Sequence, residues 1–194
     1  MSAADLHDEP LDLEVIHSDL VYEGKVWDVR NDTVRYGEGR IVRQYVEHPG
    51  AAAVIALDDR GRVLLIQQYR HPIRHRDWEI PAGLLDVAGE SPLETARREL
   101  AEEVDLAASR WDELVSIFTT PGGNDEVVHL FLARGLTGVE PHERRDEEAD
   151  IRIEWVPLDE VVAGVLSGRL RNGILAVGAL STAERLRSGG AFGD

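Results

Sequence analysis

The sequence predicts an α/β (α+β) protein, a sandwich of strands and helices preceded by a small N-terminal antiparallel β lobe. Three observations predict it. Strand-like segments fill the first part of the 194-residue chain, before any helix signal appears. Helix start and stop signals then occur between further strands and again near the end. The 43% hydrophobic content, with no repeat of solenoid period, fits one ordinary domain with an accessory lobe, and a core of that size folds without staples.

The elements follow in order. From Leu13 to Glu47 the pattern is strand-like, and "VWDVRNDTVRY" and "RIVRQYVEH" flank the turn "GEG" as a hairpin. This gives a β lobe over residues 1–48, with the main domain at 49–194. "GAAAVIALDDRGRVLLIQQYRH" reads as a second hairpin turning at "DDRG", its strands apolar enough for burial on both faces. "DWEIPAGLLDVAGE" reads as one short strand and a glycine-containing loop. In "SPLE", Ser91 suits a helix N-cap, Pro92 the first helical position and Glu94 a capping box. Leu93, Ala96, Leu100 and Val104 form the apolar stripe of that helix. "WDELVSIFTT" and "EVVHLFLARGL" are strands joined by "PGGNDE". An acidic connection from Thr137 to Asp150 leads to a late strand, "IRIEWVPL". Two terminal helices follow, the first stopped by Gly168.

Composition excludes several functions. The net charge of −16 repels phosphate backbones and anionic lipids, which argues against nucleic acid or a membrane surface as the main partner. With no cysteines, disulfides, zinc–thiolate sites and cysteine nucleophiles are excluded. "MSAADLHDEP" is acidic and lacks an apolar signal region, and no apolar run is long enough to cross a bilayer. The expectation is a cytoplasmic protein.

One helix face poses a chemical question. Glu99, Glu102 and Glu103 in "ARRELAEEVDL" fall at spacings that bring them to one side. Such like-charge pairs cost roughly 0.2–0.5 kcal/mol each. Two readings are open at this point. The face is solvated, with Arg98 relieving Glu102 four residues on, or it holds magnesium, a hard cation that prefers carboxylate oxygens fixed on a rigid element.

The surrounding stretch decides between them. "GLLDVAGESPLETARRELAEEVDL" resembles the Nudix box, the signature of hydrolases that act on nucleoside diphosphates linked to another group. Gly83 opens it, Glu90 is its first glutamate, Arg98-Glu99-Leu100 begins the helical core, Glu102-Glu103 follow and Leu106 closes it. Two positions depart from the pattern: six residues rather than five separate Gly83 from Glu90, and Asp105 replaces the terminal glycine. Asp tolerates the left-handed conformation needed there better than most residues. The resemblance implies an α/β/α sandwich with a mixed sheet. It implies Glu99 and Glu103 as leading magnesium ligands, Glu102 as a further one, Glu90 as an outer one and the carbonyl of Ala82 as a backbone ligand. Arg98 would orient a neighbouring glutamate. Manganese satisfies the same oxygen donors.

Outside the box, Pro121, "QQYRH", "WEIPAGLLDVAGE", "TPGG" and the acidic "EEAD" resemble bacterial ADP-ribose pyrophosphatases. That resemblance implies magnesium-dependent hydrolysis of ADP-ribose to AMP and ribose 5-phosphate. It also implies a homodimer whose N-terminal lobes help build the adenine pocket. Trp27 and Tyr45 are candidates for stacking the base, and Arg70 and Arg43 for pairing with the diphosphate, a task suited to the planar guanidinium fork. The general base expected from the related loop is Glu148, with Glu147 in reserve. The alternatives are a pyrophosphatase for another sugar nucleotide, NADH or a dinucleoside polyphosphate, and a non-catalytic ligand-binding regulator.

Overall fold

The computed structural model describes residues 6–142 and 151–189. The chain divides into two compact units, Met1–His48 with Gly122–Asp125, and Pro49–Pro121 with Glu126–Asp194.

The first unit is an antiparallel meander of β1 (Val15–Tyr22), β2 (Asp28–Tyr36) and β3 (Gly39–Glu47), in that spatial order. Tyr36 pairs with Gly39, leaving a two-residue turn in which Gly37 has φ +58°. That positive φ is what a tight hairpin requires and glycine adopts without strain. Every residue of β1 is exposed. The short piece 122–125 is pinned to the end of β3. Val46 N–H donates to the Gly123 carbonyl at 2.9 Å, and Asp125 Oδ1 accepts from His48 N–H at 2.8 Å.

The second unit contains two sheets. A mixed sheet has the order β7 (Ala82–Leu84), β4 (Ala51–Ala56), β9 (Val127–Gly138), β8 (Leu106–Phe118), with β4 and β9 parallel and the other pairs antiparallel. An antiparallel sheet has the order β10 (Arg152–Pro157), β5 (Arg62–Arg70), β6 (His75–Glu79). The helices are α1 (Pro92–Val104), α2 (Leu158–Leu166) and α3 (Gly173–Arg187). Alternation along the buried strands builds two cores. Ala51, Ala53 and Ile55 of β4 share one with Val161 of α2 and with Leu175 and Ala179 of α3. Ala52, Val54 and Ala56 share the other with Ala96, Leu100 and Val104 of α1. Helices thus cover both faces of strands whose side chains alternate between them, which gives the predicted three-layer sandwich.

Two local readings of the sequence are corrected. The turn at "DDRG" forms, with Asp58 Oδ1 accepting from the N–H groups of Arg60 and Arg62 at 2.9 and 2.8 Å and Gly61 at φ +74°. Its flanks do not continue as a hairpin. Beyond the single bridge Leu57↔Val63 they part, β4 bonding β7 and β9 on its two edges while β5 bonds β10 and β6. Strands buried on both faces can serve either arrangement, and only the long-range pairing chooses. Likewise "DWEIPAGLL" holds two strands. Pro81, which has no N–H for a ladder, separates β6 from β7, and β7 turns to pair with Ala51–Ala53.

Candidate active site

Helix α1 is fixed at both ends by its own sequence. Ser91 Oγ accepts from Glu94 N–H at 3.3 Å while Glu94 Oε2 accepts from Ser91 N–H at 2.7 Å, the reciprocal capping box. At the other end Asp105 adopts φ 56°, ψ 38°, and its N–H bonds the Ala101 carbonyl at 3.0 Å. Asp105 also does what glycine could not, because its Oδ1 accepts from His142 N–H at 2.8 Å. The extra residue before Glu90 is absorbed by a turn in which Glu90 N–H meets the Val87 carbonyl, with Gly89 at φ +85°.

This helix lays two carboxylates on strand β7. Glu99 and Glu103 are 9% and 5% exposed, burial that a carboxylate tolerates only when something satisfies it. Glu103 Oε2 accepts from Ala82 N–H at 3.0 Å. Glu99 lies against Gly83, where a Cβ would stand 2.5 Å from Glu99 Cγ and closer still to its carboxylate. Gly83 is therefore glycine for space, and the site is a cradle that any larger residue would fill.

Arg98 joins the remaining acids. Its Nε and Nη2 donate to Glu90 Oε1 and Oε2 at 3.2 Å, and its Nη1 donates to Glu99 Oε1 at 2.5 Å and to Glu102 Oε2 at 3.2 Å. The Glu90 bonds are the largest cause of an Arg98 pKa pushed above the ordinary guanidinium range. In return Arg98, then the Thr95 hydroxyl at 2.8 Å, hold the Glu90 carboxyl below the usual carboxylate range. Glu90 is thus engaged as the anchor of Arg98, and Glu102 is the most exposed acid of the group. Thr95, fully buried, is a participant that the sequence reading missed. Its signal was a lone hydroxyl beside Ala96 at the edge of the apolar stripe.

Among the described residues, no three His, Asp or Glu side chains are gathered in a metal-binding cluster. The donor set nevertheless fits a hard divalent ion. It offers two buried carboxylates and one exposed carboxylate within a turn of helix, beside strand backbone kept clear by a glycine.

The other sequence candidates are each engaged locally. Arg70 makes a bidentate pair with Glu79, at 2.7 and 2.6 Å, supported by Gln68. Arg43 is exposed on β3 and donates to the Val42 carbonyl. Trp27 is half-exposed and stacks on His48 with ring centroids 5.5 Å apart. Tyr45 donates to Asp32 Oδ2 at 3.3 Å, and burial, then the Asp32 charge, push its phenol up. Glu147 and Glu148 lie outside the described residues.

The family profile of the NUDIX domain matches residues 47–174, a span that includes β7, the Gly83 cradle and all of α1. The chain belongs to the Nudix family. Among Nudix relatives, the chain is 47% identical over 177 residues to an ADP-ribose pyrophosphatase of Mycobacterium tuberculosis, covering 88% of this chain and 86% of the relative. It is 36% identical to an ADP-ribose pyrophosphatase of Bacillus subtilis, over 78% of this chain and 82% of that one. It is 34% identical to the methanol dehydrogenase activator of Bacillus methanolicus, over 90% and 95%. In fold it resembles the crystal structure of an ADP compounds hydrolase, with TM-score 0.77 and 20% identity over 95% of this chain and 99% of that one. No helix among the described residues is long and apolar enough to cross a membrane.

Proposed function

We propose that this Nudix protein is an ADP-ribose pyrophosphatase, dependent on magnesium, with manganese as the substitute ion. The observation that carries the chemistry is the carboxylate cradle of Glu99 and Glu103 against Ala82 and Gly83. The substrate assignment draws its support from two relatives of that name at 47% and 36% identity. Glu99 and Glu103 would hold the metal, with Glu102 and the Ala82 carbonyl completing the protein donors. When bound, divalent ions neutralise the diphosphate and lower the pKa of the attacking water.

The chain's own groups do the rest. Arg98 orients Glu99 and Glu102, and Glu90 with Thr95 holds Arg98 in place. Glu148, with Glu147 in reserve, takes the proton of the attacking water as general base. Hydrolysis yields AMP and ribose 5-phosphate without a covalent enzyme intermediate. Arg43 is assigned to the diphosphate, and Trp27 and Tyr45 to the adenine. Arg70 is given to the diphosphate together with its Glu79 partner, which fixes the guanidinium plane. The N-terminal lobe is assigned to a homodimer. The support is β1, a fully exposed strand carrying Val15, Ile16, Leu20, Val21 and Tyr22. We place the activity in the cytoplasm.

The test is product analysis by chromatography, with magnesium and then manganese. ADP-ribose is compared with NADH, diadenosine polyphosphates, ADP-glucose and GDP-mannose, and Glu103→Gln serves as control. AMP and ribose 5-phosphate, lost in the variant, are expected. Preference for another member of the panel discards the substrate and keeps the metal site. Turnover that survives in Glu103→Gln discards the metal site.

A further inference from the structure

A cavity lies toward the other edge of the mixed sheet. The sheet order β7-β4-β9-β8 puts the carboxylate cradle at β7 and this cavity over β8 and β9. Its volume is about 390 Å³, within the ~300–1,000 Å³ of small-molecule sites, and it is lined by Ser91, Pro92, Leu93, Trp111, Glu113, His129 and Phe131. Ser91, the N-cap, with Pro92 and Leu93 of the first turn of α1 form one side, and the two strands supply the rest.

A β-bulge builds its polar side. Glu113 stands opposite Phe131 and Ser116 opposite His129, while Val115 pairs with Leu130, so Leu114 is the inserted residue. Without the insertion, residues three apart on a strand would face opposite sides of the sheet. With it, Glu113 and Ser116 share one face, and Leu114 drops into the core beneath α3. Arg185 of α3 donates to the Leu114 carbonyl at 3.2 Å and holds the bulge from behind. Ser116 Oγ stands 3.3 Å from Glu113 Oε1 and 2.8 Å from His129 Nδ1. With its proton given to the carboxylate, the hydroxyl accepts from Nδ1–H and leaves His129 Nε2 an acceptor. Ser91 already donates to Glu94.

The cavity therefore combines apolar and aromatic walls with acceptors and one negative charge. We propose that it is a second ligand site, separate from the cradle, for a planar aromatic amine or amidine that is cationic or carries N–H donors. Glu113 takes the N–H groups, His129 the remaining donor, and Phe131 the flat body, beside the edge of Trp111, whose ring carries the Arg97 guanidinium 5.8 Å from its centroid. The same carboxylate, on a chain of net charge −16, turns away phosphorylated compounds, so substrate and product of the proposed hydrolysis do not compete for it.

Benzamidine and benzoate share a shape and differ in charge and donors, which makes them the probe pair. Each is titrated into the full 15N-labelled chain, with the Trp111 indole signal identified through Trp111→Phe. Benzamidine is expected to shift that signal and the amides of 112–116 and 128–131 saturably, with benzoate silent. Glu113→Gln is expected to weaken benzamidine about tenfold or more, the loss of one charge-assisted hydrogen bond. Hydrolysis by that variant stays at the parent level. An equal response to benzoate, affinity retained in Glu113→Gln, shifts centred on Ala82 and Gly83, or no saturable response at millimolar benzamidine would each overturn the proposal.

Discussion

Replacing Gly83 by alanine tests the cradle with a single methyl. The new Cβ would lie 2.5 Å from Glu99 Cγ and nearer to the carboxylate, whereas carbon atoms meet comfortably at about 3.5 Å. Glu99 must retreat by at least about 1 Å, and misplacement on that scale costs on the order of 10²-fold in rate. That is about 2.7 kcal/mol of transition-state stabilisation. Gly83 does not need a positive φ, and alanine is tolerated on an edge strand such as β7, so the fold is expected to survive. The assay is kcat/KM for ADP-ribose across a magnesium titration, beside a thermal melt. The expected result is a drop of about two orders of magnitude with Tm within about 4 °C of the parent. Parent-level activity at every magnesium concentration would refute both the role of Glu99 and the reason given for the glycine.

Three further perturbations probe the scaffold. Ser91→Ala removes one half of the capping box and is expected to cost about 1 kcal/mol, read as a Tm about 2–4 °C lower. Gly178→Val puts a branched side chain where even a lone Cβ would stand 2.9 Å from Ile55 Cδ1, so overpacking of about 1–3 kcal/mol should appear as a lower urea midpoint. Asp58 is raised by burial but lowered further by the Arg62 and Arg60 N–H groups and the Arg62 guanidinium, leaving its pKa below the ordinary 3.8. A carboxylate depressed on folding stabilises fully above its unfolded value and loses that contribution as pH falls through its folded value. The stability gap between parent and Asp58→Asn should therefore be constant above pH 3.8 and close below it, as followed by denaturant melts.

What could be read in advance was local. Ser91, Pro92 and Glu94 specified the start of α1, and Asp105 its left-handed end, because caps are decided within a few residues. The β2–β3 hairpin was equally legible from its glycine turn. The rest required partners distant in sequence. "AAAVIA" and "RVLLIQQ" are apolar on both faces and look alike whether they pair with each other or go to separate sheets. That Glu79, on the neighbouring strand, fixes the guanidinium plane of Arg70 was likewise invisible before the β5–β6 pairing was known. Arg98 was paired in the sequence with Glu102 one turn on, but it also reaches back to Glu90 in the loop before the helix. The bulge at Leu114 leaves no mark in a strand pattern, since one inserted residue only shifts the alternation.

The clip that pins Asp125 to His48 has a consequence for synthesis. The two residues are 77 positions apart, so the N-terminal lobe leaves the ribosome long before its last piece exists. At roughly 5–20 residues per second the nascent meander waits about 4–15 s for that clip. During that interval the end of β3 lacks the bonds that Val46 and His48 later make to Gly123 and Asp125. The order in which the residues are made thus leaves the end of the meander open until residues 122–125 arrive.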